Sequence, residues 1–128
     1  MSLLNAVDLN ADYSGALSAP VCIAHEPCMI ESLQFVSPNT VAKHAVNYTT
    51  VEFIDRGVDG TGSTVIATFN TNDADPDAID ITGFVQVDLE TNNYELQPGS
   101  VIEAKKTDAA GAVNLGIGIT LFGIRRIG

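Results

Sequence analysis

The sequence predicts an all-β fold, a jelly-roll-like antiparallel β-sandwich of about eight strands with an N-terminal arm, and three observations carry it. Apolar residues recur at alternate positions in a series of short runs. Those runs are rich in β-branched and aromatic residues, and Gly, Pro, Asn and Asp separate them. Nowhere does an i, i+3, i+4, i+7 pattern last for three helical turns, so the crossover helices of a parallel α/β fold are missing.

Residues 1–18 are small, polar and weakly apolar, and they are assigned to an arm ahead of a sandwich domain at 19–128. Leu3, Leu4, Val7 and Leu9 suit one face of a short helical turn, although Asn5, Asp8, Asn10 and Gly15 interrupt any long helix. Such a segment is either a frayed terminus or an arm whose leucines dock on a neighbouring subunit.

From Pro20 the period becomes two. Val21 and Ile23 alternate with Cys22 and Ala24 until Pro27 breaks the run. Leu33 and Phe35 alternate with Ser32 and Gln34; Val51 and Phe53 turn inward between Thr50 and Glu52. Val65, Ala67 and Phe69 face away from Thr64 and Thr68, and Val85, Val87 and Leu89 alternate with Gln86, Asp88 and Glu90. A run from Val101 to Lys105 and a last one from Ile117 complete the set.

The last run differs from the others. Ile117, Ile119 and Leu121 occupy one face, while Phe122 and Ile124 make the other apolar too. A strand apolar on both faces is either central or at an interface, so Phe122 and Ile124 are candidate contact residues. Arg125 and Arg126 mark its return to water, or meet acid on a neighbour.

Two turns have a readable mechanism. The stretch 55–63 carries glycines at 57, 60 and 62, which lets the backbone reach positive φ between strands. Leu96-Gln97-Pro98-Gly99-Ser100 places Pro and Gly where a type II turn prefers them. Neither ends in the Lys-Ser/Thr of a phosphate-binding loop.

At 128 residues the chain fits one domain able to bury a core, and an apolar fraction of 45% against 17% charged excludes disorder. Sixteen acidic residues face six basic ones, for a net charge of −10. That balance opposes nucleic-acid binding and anionic membrane surfaces, both of which recruit Lys and Arg. The opening Met1-Ser2-Leu3-Leu4-Asn5 lacks a cationic region, so no secretory leader is expected. No apolar run approaches the roughly 20 residues of a membrane span.

Few constellations suit chemistry. Cys22, His25 and Cys28 lie within seven residues, but zinc sites use four ligands and closer cysteine spacing. Buried small hydrophobes with a turn histidine are the favoured reading; a metal site or a Cys22–Cys28 disulfide stays open. The segment 70–80 holds Asp73, Asp75, Asp77 and Asp80, enough oxygen to suggest calcium but without EF-hand spacing or its closing Glu. A solvated loop is preferred. No nucleophile elbow, HExxH helix or histidine cluster is present, so no catalytic, cofactor or metal residue is assigned and no enzyme activity is expected. A lectin role lacks tryptophan platforms, leaving only Tyr13, Tyr48 and Tyr94.

The order of segments has a precedent. Ile30-Glu31-Ser32-Leu33-Gln34-Phe35-Val36-Ser37-Pro38-Asn39-Thr40-Val41-Ala42 is followed by Asn47-Tyr48-Thr49-Thr50-Val51-Glu52. The Gly-rich loop, Thr64-Val65-Ile66-Ala67-Thr68 and the Pro98-Gly99 turn come next. At the level of strands and turns, roughly residues 20–126 resemble the small jelly-roll decoration (cement) proteins of tailed-phage capsids. The resemblance implies a homotrimer made in a host cytoplasm and placed on the capsid exterior, where it binds the major capsid protein and stabilises the coat lattice. It maps a terminal arm onto residues 1–18. The contact residues expected are then Leu3, Leu4, Val7, Leu9, Phe122, Ile124, Arg125 and Arg126. The alternative is a receptor- or glycan-binding module of a phage fibre or tail tip. A cupin-like enzyme is a third class, disfavoured because only two histidines are present and no H-x-H occurs.

Overall fold

The computed structural model describes residues 2–5, 17–37, 40–89, 93–109, 111, 115 and 119–127. These form eleven strands: β1 Ser2–Asn5, β2 Leu17–Ile23, β3 Cys28–Val36, β4 Thr40–Val41, β5 Thr49–Asp55, β6 Thr64–Asn70, β7 Ile81–Thr82, β8 Gln86–Leu89, β9 Tyr94–Leu96, β10 Val101–Asp108 and β11 Ile119–Arg126. One sheet runs β1-β11-β3, with both β8 and β9 paired end to end on the far side of β3. The other runs β2-β10-β5-β6, and β4 pairs with β7 in a small ribbon. All strand pairs are antiparallel, so the chain is an all-β antiparallel sandwich.

The chain passes from one main sheet to the other after β1, β2, β3 (through β4), β6 (through β7), β9 and β10, and only β5–β6 is a hairpin within the second sheet. Each crossing lays an apolar strand face against the opposite layer. Ile30, Leu33, Phe35 and Phe122 from the first sheet meet Val51, Phe53, Phe69 and Ile102 from the second in one buried cluster. Phe35 and Phe69 stack at 4.3 Å between centroids, while Phe53 and Phe122 meet edge-on at 6.3 Å. Each ring pair spans the sandwich and adds about 0.5–1.5 kcal/mol beyond simple burial.

Three bulges decide which residues face that core. On β2 the register passes from Cys22 to Pro20, so Val21 is the extra residue. Val21 is buried, Cys22 turns inward, and Ile23 is left 47% exposed. On β3 the register skips Glu31, which puts Glu31 and Ser32 in water and brings both Ile30 and Leu33 inside. On β6 it skips Ile66, so Ala67 and Phe69 are buried but Val65 is 45% exposed. Simple alternation from the sequence therefore misplaces Ile23 and Val65, because a bulge shifts the phase of everything beyond it. Val85 is a third such case: β8 begins one residue later, and Val85 lies outside it.

Both turns behave as their residues require. Ser100 donates its amide to the Gln97 carbonyl at 3.0 Å, with Gly99 at φ +87° in the third position of the turn. Gly62 answers a different demand. Its amide donates to Arg56, and a β-carbon there would fall 2.8 Å from the Asp55 carbonyl oxygen.

The segment assigned to an arm is more integrated than the sequence suggested. Residues 2–5 form an edge strand on β11, not a helical turn, with Leu3 opposite Phe122 and Leu4 opposite Leu121. Leu17 and Ser18 begin β2. Val7 and Leu9 lie outside the described residues.

The two sheets are also tied by a polar link. The Tyr94 hydroxyl on β9 donates to Asp55 Oδ2 on β5 at 2.7 Å. Burial, and then the adjacent Asp55 carboxylate, push the phenol above its ordinary 10.0. A raised folded value means this stabilisation is complete below the unfolded value near pH 10 and is lost as pH rises through the folded one. Tyr94→Phe is expected to cost about 1 kcal/mol at neutral pH. In urea titrations the difference from the parent chain should vanish in strongly alkaline buffer. An equal gap at pH 7 and well above 10 would contradict the link.

Candidate assembly surface

The residues predicted for contact divide into three groups. Phe122 is fully buried, so the interface role expected of it is corrected, while Ile124 is partly buried against the same core cluster. The reason is register: Phe122 pairs with Leu33 and Ile124 with Ile30, both inward-facing. Arg125 and Arg126 remain at the surface, where they pair with Glu31 at 3.2 Å and Glu26 at 3.0 Å. Exposed pairs of this kind contribute about 0–1 kcal/mol. The backbones of Leu3 and Leu4 lie on the sheet edge, in β1.

Cys22 and Cys28 are free thiols lining an apolar cavity of about 90 Å³, together with Ala24, Ile30, Leu96 and Phe122. Burial, reinforced by Cys28, pushes the Cys22 thiol up to about 11. Burial and then Glu26 also raise Cys28. Thiols held protonated at neutral pH are poor nucleophiles and poor metal ligands.

In the acidic loop the carboxylates serve their own backbone. Asp75 accepts from the Asp77 amide at 2.9 Å and from Asn70 Nδ2 at 2.7 Å, and these two bonds hold it below the usual carboxylate range. Asp80 accepts from the Lys43 amide at 2.8 Å, and Asp73 lies 4.0 Å from the Lys43 ammonium. No three His, Cys, Asp or Glu side chains converge as a metal site among the described residues. The loop is a chain of side-chain-capped turns.

Two features escaped the sequence reading. Lys106 follows Ile102 and Ala104 on the inward face of β10 and is fully buried. Its ammonium lies 3.0 Å from Asp108 Oδ2, while Asp108 Oδ1 accepts from Thr49 Oγ1 at 2.8 Å. Strand alternation alone would have found it. Beside this pair, Tyr48, Thr50, Glu52, Thr107 and Asp108 line an open groove of about 330 Å³.

The second is Phe84. It sits between β7 and β8 with φ +57°, and its ring is 78% exposed; Val85 beside it is 40% exposed. The Phe84 amide donates to the Ser37 carbonyl, which fixes the corner against the end of β3. A left-handed backbone costs a bulky residue about 1–2 kcal/mol, and the ring gains no burial in return. The sequence clue was Gly83-Phe84-Val85, two large apolar residues after a glycine, of which Phe84 is out of phase with Val87 and Leu89 of β8.

No family model and no curated protein matches the sequence. Among solved structures, an aminopeptidase from a marine sediment archaeon (Thaumarchaeota archaeon) is similar in fold, with a TM-score of 0.55 at 10% identity. The match covers 94% of this chain and 28% of that one. An α-amino acid ester hydrolase has a TM-score of 0.46 at 12% identity, over 84% of this chain and 23% of its own. The core of a Drosophila NLP, whose structure is described in terms of pentamer formation and histone binding, has a TM-score of 0.36 at 9% identity, covering 99% and 98%. This chain thus spans under a third of the length of the two hydrolases, and the likeness to the aminopeptidase concerns the fold alone.

Proposed function

We propose that this chain is a non-enzymatic virion structural protein, a homotrimer that binds the major capsid protein on the outer surface of a phage capsid and stabilises the coat lattice. The observation that carries the reading is Phe84. A large aromatic ring is held in water on a strained, hydrogen-bonded corner, with Val85 extending the apolar surface. Buried aromatic anchors are what protein interfaces use to gain affinity, and a rigid backbone lowers the cost of ordering one. The resemblance of the strand-and-turn order to decoration proteins and the net charge of −10, which favours solubility at high display density, support the same reading.

Phe84→Gly separates assembly from folding. Glycine accepts positive φ, so the variant should fold at least as stably as the parent. Light scattering at micromolar concentration should give a mass near three times 13.5 kDa for the parent and a smaller one for the variant. A monomeric parent overturns the trimer; an unchanged trimer in the variant removes Phe84 from the interface.

One observation favours a second reading, the glycan-binding module. The groove at Tyr48 joins an aromatic ring to carboxylates and hydroxyls, the group types that grip sugars. Binding on a glycan array that is lost in Tyr48→Ala would favour it. Tyr94 is not available for that role, being committed to Asp55.

A further inference from the structure

We propose that the outer edge of β6 is a docking edge for an extended peptide of a partner protein that carries cationic residues at both ends. Among the described residues no strand pairs with the far side of β6, where the Asn70 carbonyl at its end accepts from the Ile79 amide at 3.0 Å. The strand reads Thr64-Val65-Ile66-Ala67-Thr68-Phe69-Asn70, with neither a charge nor a proline to blunt it. The opposite edge of the same sheet, β2, carries Pro20, which lacks an amide hydrogen. An uncharged edge with β-branched and aromatic residues is the substrate of strand addition, in which main-chain hydrogen bonds supply affinity.

The ends of the edge select the occupant. Asp59 lies in the turn that leads into β6, and its bonds from the Thr61 amide and hydroxyl hold it below the usual carboxylate range. At the other end Asp75 is bonded to the Asn70 side chain, with Asp73 and Asp77 exposed in the same loop. Both ends are therefore anionic at neutral pH around a neutral centre. Antiparallel pairing of β6 with a second copy would set the Asp59 turn of each molecule beside the Asp73–Asp77 loop of the other, between chains of charge −10. Like charges oppose that pairing at both ends. A peptide of about seven residues with Lys or Arg at each end spans the edge, at roughly 3.3 Å per residue, and matches its charge. This inference stands apart from the virion reading and from the Phe84 corner.

The test uses the intact chain and two acetylated, amidated heptapeptides of alternating Thr and Val, one with lysine at each end and one with glutamate. Amide hydrogen exchange followed by NMR should slow within 64–70 when the lysine-ended peptide is added. Binding should exceed that of the glutamate-ended peptide by about tenfold at low ionic strength and weaken as salt is raised. The triple variant Asp59→Asn, Asp73→Asn, Asp77→Asn leaves the two bonds to Asp75 in place, keeps an acceptor for Thr61, and should lose most of the preference for the lysine-ended peptide. Equal binding of the two peptides by the parent chain, or no slowing within 64–70, would overturn the proposal. So would a mass that doubles with concentration while β6 is protected in the absence of peptide, because a second copy would then be the occupant.

Discussion

Phe122→Ala is expected to lower the stability of the folded chain by about 3–5 kcal/mol, read as a fall in urea midpoint at nearly constant slope. The ring is fully buried, meets Phe53 edge-on at 6.3 Å, and already borders a cavity of about 90 Å³. Removing it enlarges a void that rigid strands cannot close, since Phe122 is paired on both sides, with Leu3 and with Leu33. Small domains have only about 5–15 kcal/mol in hand, so the variant should lie close to unfolding. A variant of unchanged stability that had lost only its subunit contacts would return Phe122 to the surface role that the sequence suggested.

Asp108→Ala should be nearly as damaging, at about 3–5 kcal/mol, because it strips the carboxylate from a fully buried ammonium. It also removes the acceptor of the Thr49 hydroxyl at the start of β5. The double replacement Lys106→Met, Asp108→Leu removes both charges together and should recover most of that loss, because the desolvation of two ions is avoided. Chemical denaturation of the three proteins in one buffer decides the matter. A single variant as stable as the parent, or a double variant no better than the single, would mean that Asp108 does not stabilise the buried Lys106 ammonium.

The fold class was legible because period-two alternation and turn residues act locally. Val51, Phe53, Leu33, Phe35 and Leu89 face inward as their spacing implies, and the Pro98-Gly99 turn forms where its residues demand. Bulges were not legible. The extra residues Val21, Glu31 and Ile66 share no side-chain type, and a bulge is created by the register of two strands rather than by either alone. That is why Ile23 and Val65 were read as inward. Short strands such as β4, β7 and β9 hold two or three residues each, too few for a period to be seen.

The surface was harder still. Phe122 and Ile124 looked like contact residues because apolar character on two faces was read without knowing which face meets the core. Phe84 escaped because a positive φ at a non-glycine residue has no sequence signature. Its exposure reflects where the chain turns, not what surrounds it in sequence. Lys106 was available in principle, two residues beyond Ala104 on the same face, but a lysine reads as solvent-facing until a buried partner is known.

We propose that this acidic sandwich acts through its surface as a component of a phage particle. Mass spectrometry of purified particles whose genome encodes the chain, before and after mild protease treatment of intact virions, tests it most directly. The chain is expected in near-stoichiometric ratio to the major capsid protein, with fragments released from the exterior while the coat stays whole. Particles that lack the chain, or hold it only where protease cannot reach, would contradict it.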